Sequence, residues 1–129
     1  MAELTVNVVS AERALWSGPA KSVVAKTPEG EIGIMPGHEP VLALLVDSPL
    51  RIESLDGTKM LVAVHGGFFA VDSNQVNVIA EIAELAEDID IDRARKALEA
   101  AKASGEEGIT AMRRAETRIT VAGAAASLR

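Results

Sequence analysis

From Leu4 to Glu84 apolar and polar positions alternate in short runs: Leu4, Val6 and Val8 share one parity, and Val76, Val78 and Ala80 repeat the pattern. A period of two sends successive side chains to opposite faces of a strand, one buried and one wetter. Gly, Pro, Asp or Asn interrupt these runs about every ten residues, the signature of an all-β sandwich. The pattern predicts strands over Leu4–Val9, Ala20–Thr27, Glu31–Met35, Leu50–Ser54, Met60–His65, Phe68–Val71 and Val76–Ile82. Asp56-Gly57 and Asn74 mark hairpin turns.

After Leu85 the composition shifts to Ala, Glu, Lys and Arg without proline, which favours helix. Asp88 or Asp90 can cap a first helix, with Asp92 adding negative charge to its first turn. Its apolar positions are Ile91, Ala94, Ala97, Leu98 and Ala101. Ser104 to Gly108 breaks it, and Ile109 to Ala126 follows as a second helix with Met112, Ala115, Ile119 and Ala122 on one stripe. Helices joined by so short a loop lie antiparallel. The expected fold is therefore a β-sandwich over residues 1–86 and a two-helix hairpin over 87–129. Alanine-rich stripes bury little area, so the hairpin reads as detachable.

Composition narrows the function classes. Of 129 residues 48% are hydrophobic but only 2% aromatic, so the core is aliphatic. Trp16, Phe68 and Phe69 are expected to plug it. A net charge of -6 and the scarcity of aromatics argue against nucleic-acid binding, which needs clustered cations and stacking surfaces. The lack of cysteine removes disulfides, thiolate metal sites and thiol nucleophiles together. The longest apolar run, Pro40 to Val46, falls far short of the roughly 20 residues of a membrane helix, so no direct membrane insertion is expected. No secretory or organellar leader is evident, which predicts action where the chain is made.

Catalytic constellations are missing. His38 and His65 are far apart and have neither a cysteine partner nor the i, i+4 spacing of a helical metal pair. No Gly-x-x-x-x-Gly-Lys loop follows a strand, and Gly66-Gly67 reads as a tight bend. No metal, no required cofactor and no catalytic residue is expected.

Two segments are more distinctive. Gly30-Glu31-Ile32-Gly33-Ile34-Met35-Pro36-Gly37-His38-Glu39-Pro40 reads as a short strand running into a rigid loop that offers His38 and Glu39 to solvent. Ile89-Asp90-Ile91-Asp92-Arg93-Ala94 opens the first helix; taken alone it is capping chemistry followed by a solvated face. Together these segments resemble the epsilon subunit of rotary ATP synthases, through its Gly-Glu-(Ile/Leu)-Gly-(Ile/Leu)-x-Pro-Gly-His-x-Pro run and its Ile/Leu-Asp-x-x-Arg-Ala motif. The resemblance extends along nearly the whole chain.

That resemblance implies a non-catalytic central-stalk subunit on the cytoplasmic face of the bacterial membrane, coupling the γ subunit to the c-subunit ring and taking part in proton-driven ATP synthesis. It implies that Glu31 and His38 contact the ring and γ. Asp90 and Arg93, with Glu84 as a weaker partner, are the implied contacts of a regulatory ATP held against the folded hairpin. A guanidinium pairs with phosphate or stacks on adenine, and a carboxylate accepts from base or ribose. Nucleotide-binding members carry a further Arg two turns on, where this chain has Leu98, Glu99 and Ala100, and Arg113, Arg114 and Arg118 on the second helix are the candidates to compensate for it. Arg113, Arg114 and Arg118 on the second helix are the implied contacts to the catalytic α and β subunits when the hairpin extends and inhibits hydrolysis. A free-standing sandwich that binds a small molecule is the alternative, and a hydrolase the weaker one.

Overall fold

The computed structural model describes residues 3–127. Ten strands form two five-stranded sheets. They are β1 (Leu4–Ser10), β2 (Ala14–Ala20), β3 (Ser22–Thr27), β4 (Gly30–Ile34), β5 (Val41–Leu44), β6 (Ser48–Glu53), β7 (Lys59–His65), β8 (Phe68–Asp72), β9 (Gln75–Ala80) and β10 (Ile82–Leu85). One sheet runs β2-β1-β9-β8-β5 and the other β10-β7-β6-β3-β4. All neighbouring pairs are antiparallel except β1 with β9. Helices α1 (Ile91–Ala103) and α2 (Ile109–Ser127) follow, with one 3₁₀ turn before them at Ala86–Asp88 and another between them at Gly105–Gly108. Residues 128 and 129 of the expected hairpin, like residues 1 and 2 of the sandwich, lie outside the described residues.

The inward parity of the strands builds the core. Leu4, Val6, Val8, Val76, Val78 and Ala80 are all buried between the sheets, with Phe69 the one large ring among them. Trp16 is only half-buried at the core margin, lying across Gly18, and Phe68 is 40% exposed, so neither plugs the interior as expected. The reason is parity: Phe68 and Phe69 are adjacent, and a strand sends one of any adjacent pair outward.

Three strands differ from the expectation. β2 was not anticipated because Gly18-Pro19 reads as a turn; as an edge strand it tolerates a proline without losing a ladder hydrogen bond. β5 lies inside the apolar Pro40 to Val46 run, which shows no alternation. The expected Val76–Ile82 strand is cut at Glu81, where the chain leaves β9 in one sheet and enters β10 in the other.

β7 is buried on both faces from Leu61 through His65, because α2 covers its outer side. The covering face of α2 carries Arg114, Thr117, Arg118 and Val121, a second stripe beside Met112, Ala115, Ile119 and Ala122. Val121 meets Leu61 and Ala63 in a small apolar cluster separate from the main core, edged by Ala86 and Ile89. On α1 the buried positions are Ala94 and Ala101, whereas Ala97 is exposed rather than part of the packed stripe. Gly108 lets the helices close: a Cβ there would overlap the Ala101 carbonyl oxygen.

Candidate functional site

Asp90, of the two aspartates considered, caps α1: its Oδ1 accepts from the Arg93 backbone N–H at 3.1 Å. Asp88 instead lies 3.8 Å from Arg13. The cap fixes the first turn of α1 beside β10, and a cavity of about 310 Å³ opens between them. Glu84, Asp88, Asp90, Arg93 and Arg118 supply its charged lining, with Ile89, Ala94 and Ala97 its apolar part. The three residues expected to meet a nucleotide, Glu84, Asp90 and Arg93, therefore border one space. Arg118 from α2 joins them; of the three second-helix arginines considered as substitutes for the missing Arg, it is the one that lines this space. Arg93 is exposed, and its guanidinium has no ion-pair partner among the described residues.

Glu84 is the hub of the polar contacts. Its Oε1 accepts from Arg118 Nε at 2.6 Å and from His65 Nε2 at 3.1 Å. The His65 hydrogen bond first, and Arg118 after it, hold the Glu84 carboxyl below the ordinary glutamate range, against the opposing pull of partial burial. Arg114, one turn before Arg118, lies 3.4 Å from Glu81 and 4.0 Å from Asp47, although its Nε makes no hydrogen bond. Arg114 and Arg118 are thus tied to the sandwich in this hairpin position, while Arg113 faces solvent.

A second surface lies on the outer side of the β5-β8-β9 sheet. Leu44 pairs with Phe68, and Phe68 with Ile79, so their side chains stand in one row across three strands. Leu42 at 71%, Leu44 at 64%, Phe68 at 40% and Ile79 at 39% are exposed, an apolar patch not anticipated from the sequence. β4 and β5 are edge strands of opposite sheets, and a cleft between them is lined by Glu31 and Ile32 on one side and by Leu42 and Leu44 on the other. Glu31 is exposed there. His38, in the loop between the two edges, is half-buried rather than offered to solvent, and its Nδ1 donates to the Glu39 carbonyl at 2.7 Å. Glu39 itself is exposed.

The loop is held from a distance: Asn74 Oδ1, in the β8–β9 turn, accepts from Gly37 N–H at 2.7 Å. Among the described residues no helix is long and apolar enough to cross a membrane.

Comparison with known proteins places these features in a family. Residues 3–86 match the family described as ATP synthase, Delta/Epsilon chain, beta-sandwich domain. The chain is 50% identical over 118 residues to the ATP synthase epsilon chain of Streptomyces avermitilis, covering 92% of this chain and 94% of that one. It is 54% identical over 99 residues to the epsilon chain of Rhodococcus jostii, covering 76% and 81%. Among solved structures, a chain of the Euglena gracilis mitochondrial ATP synthase superposes with a TM-score of 0.74 at 26% identity, over 100% of this chain and 83% of that one. A chain of the Tetrahymena thermophila mitochondrial ATP synthase central stalk and c-ring shares the fold, with a TM-score of 0.59 at 17% identity and 95% coverage of each.

Proposed function

This chain belongs to the ATP synthase delta/epsilon-chain family, among its epsilon chains, and from that premise we propose that it is a non-catalytic central-stalk subunit. In this reading the sandwich joins γ to the c-subunit ring at the cytoplasmic face of the bacterial membrane, where proton flow drives ATP synthesis. The hairpin, when released, meets the α and β subunits through Arg113, Arg114 and Arg118 and restrains ATP hydrolysis.

The observation that carries this reading is the inequality of the two apolar clusters. The sandwich has a continuous core drawn from both sheets, whereas α2 rests on it through Leu61, Ala63 and Val121. Ion pairs supplement that contact, and partly exposed pairs contribute about 0–1 kcal/mol each. A strand-built block so constructed transmits torque while the hairpin lifts off without unfolding it. The patch of Leu42, Leu44, Phe68 and Ile79 is the surface proposed for γ, since an apolar row of this kind favours a protein partner over water. Glu31 and His38, at the neighbouring edge, are proposed to reach the ring and γ.

The test is assembly with purified α, β and γ. The full chain should co-purify with γ, and removing residues 88–129 should raise ATPase activity of the complex. Unchanged activity would refute the brake, and failure to co-purify would favour a free-standing ligand-binding sandwich.

The cavity beside α1 is proposed as the place of a regulatory ATP. Its volume lies at the low end of the roughly 300–1,000 Å³ of small-molecule sites. Arg93 and Arg118 offer two guanidiniums for phosphate, but Glu84, Asp88 and Asp90 set three carboxylates beside them, which lowers affinity for a polyphosphate. Arg93→Ala should remove a charged hydrogen bond of about 1.5–3 kcal/mol, weakening ATP binding about tenfold or more in titration calorimetry with the fold intact. An identical isotherm would return Arg93 to a solvated helix face.

A further inference from the structure

His65 has no exposed surface, and neither the main core nor the cavity beside α1 uses it. It stands on the outer face of β7 in step with Leu61 and Ala63, beneath α2. Its Nε2 shares Glu84 Oε1 with the Nε of Arg118, at 3.1 and 2.6 Å, so the imidazole and the guanidinium meet at one oxygen. Nδ1 is buried with no hydrogen-bond partner. The charged groups around it come from three sides: Glu84 on β10 and Glu81 just before it, Arg114 and Arg118 on α2, and Asp47, opposite His65 in the continued β6–β7 register. Arg114 engages Asp47 and Glu81, which leaves Glu84 as the anion shared by His65 and Arg118.

A proton added to His65 in this docked arrangement has two costs. It sets a second cation close to Arg118, and although Glu84, on the sandwich in either position of the hairpin, attracts both, docking adds the repulsion between like charges this close. It also creates an Nδ1–H donor with no acceptor in a site closed to water. When α2 lifts away, Arg118 leaves with it and solvent reaches the outer face of β7, so both costs disappear. The proton is therefore held better by the undocked state, and linkage makes acidification favour undocking. We propose that His65 is a proton-operated latch on the C-terminal hairpin: neutral, it shares Glu84 with Arg118 and keeps α2 docked; protonated, it releases α2. This rests on the reading above that the hairpin detaches.

The chain lacks cysteine, so Lys59→Cys and Thr120→Cys, both exposed, place a fluorophore pair across the β7–α2 contact. Energy transfer in the full chain is followed between about pH 8 and pH 5, where histidine changes charge, with far-UV circular dichroism confirming an intact fold. The docking constant should fall with acid, by up to about tenfold per pH unit for one linked proton. His65→Gln retains an N–H donor for Glu84 but takes up no proton, and should flatten the response. Should that variant fail to fold, Arg118→Gln removes the facing cation from the helix side and should shrink the response. A wild-type constant that does not move with pH overturns the latch, as does a response equally large in whichever variant folds. The two readings separate under salt: a hairpin that opens in high salt but not in acid refutes the latch alone, and one that stays docked under both refutes detachment itself.

Discussion

Asn74 shows how one residue can serve three segments. With Ser73 at φ 51° and Asn74 at φ 64°, both central residues of the β8–β9 turn occupy the left-handed region that a two-residue hairpin requires. The Asn74 carbonyl accepts from Thr5 N–H at 2.8 Å, and its Oδ1 from Gly37 N–H at 2.7 Å. Asn74→Gly keeps the backbone conformation and deletes only the side-chain bond. It should cost about 1 kcal/mol in urea denaturation, and amide exchange should quicken at Gly37 while β8 and β9 stay protected. The turn was legible in the sequence because asparagine tolerates positive φ; its tie to Gly37 was not, because the partner lies 37 residues away. Gly67 is a stricter case. At φ 98° a Cβ would overlap the Ile79 carbonyl oxygen, both of them backbone constraints. Gly67→Ala should lose at least about 2 kcal/mol by the same measurement, since neither strand can yield cheaply.

At the level of elements, strands facing one core and one solvent layer were readable from their period, whereas β5 and β2 were hidden by an unbroken apolar run and an edge proline. The helical hairpin was readable too, but only its inner stripe. The face of α2 that meets the sandwich carries Arg114, Thr117, Arg118 and Val121, and a face on which three of four residues are arginine or threonine gives no hydrophobic signal. Its partners Asp47, Glu81 and Glu84 come from loop and edge positions that only the assembled sheet brings together. The candidate cavity followed the same division: Asp90 and Arg93 belong to a contiguous motif, while Arg118 reaches the site from α2. The part of the Glu84 depression that comes from Arg118 on α2, as distinct from the larger part due to His65 within the sandwich, is gained on docking and is complete above the ordinary glutamate range of about pH 4.3. It disappears as pH falls through the lowered value. Docking should therefore show a strongly acid limb that Glu84→Gln abolishes, below the window in which histidine titrates.

For the whole molecule, the question is whether the sandwich needs the hairpin. Among the described residues the main cluster joins eighteen buried side chains from both sheets, and the cluster under α2 joins three. Removing the hairpin uncovers Leu61, Ala63 and His65 on the outer face of β7 but leaves Val62 and Val64, of opposite parity, inside. The lost contact is dominated by Val121, whose burial is worth about 1.5–3 kcal/mol, a small share of what the inter-sheet core contributes. A chain ending after Glu87 should therefore melt cooperatively, at a lower temperature than the full chain, and should still bind γ through Leu42, Leu44, Phe68 and Ile79. Val121→Ala in the full chain separates the two effects. It should weaken α2 docking, read as faster amide exchange along α2, while the urea midpoint of the strands stays near that of wild type. Loss of cooperative melting in the shortened chain, or a Val121→Ala effect spread equally over β1, β8 and β9, would show that sandwich and hairpin fold as one unit.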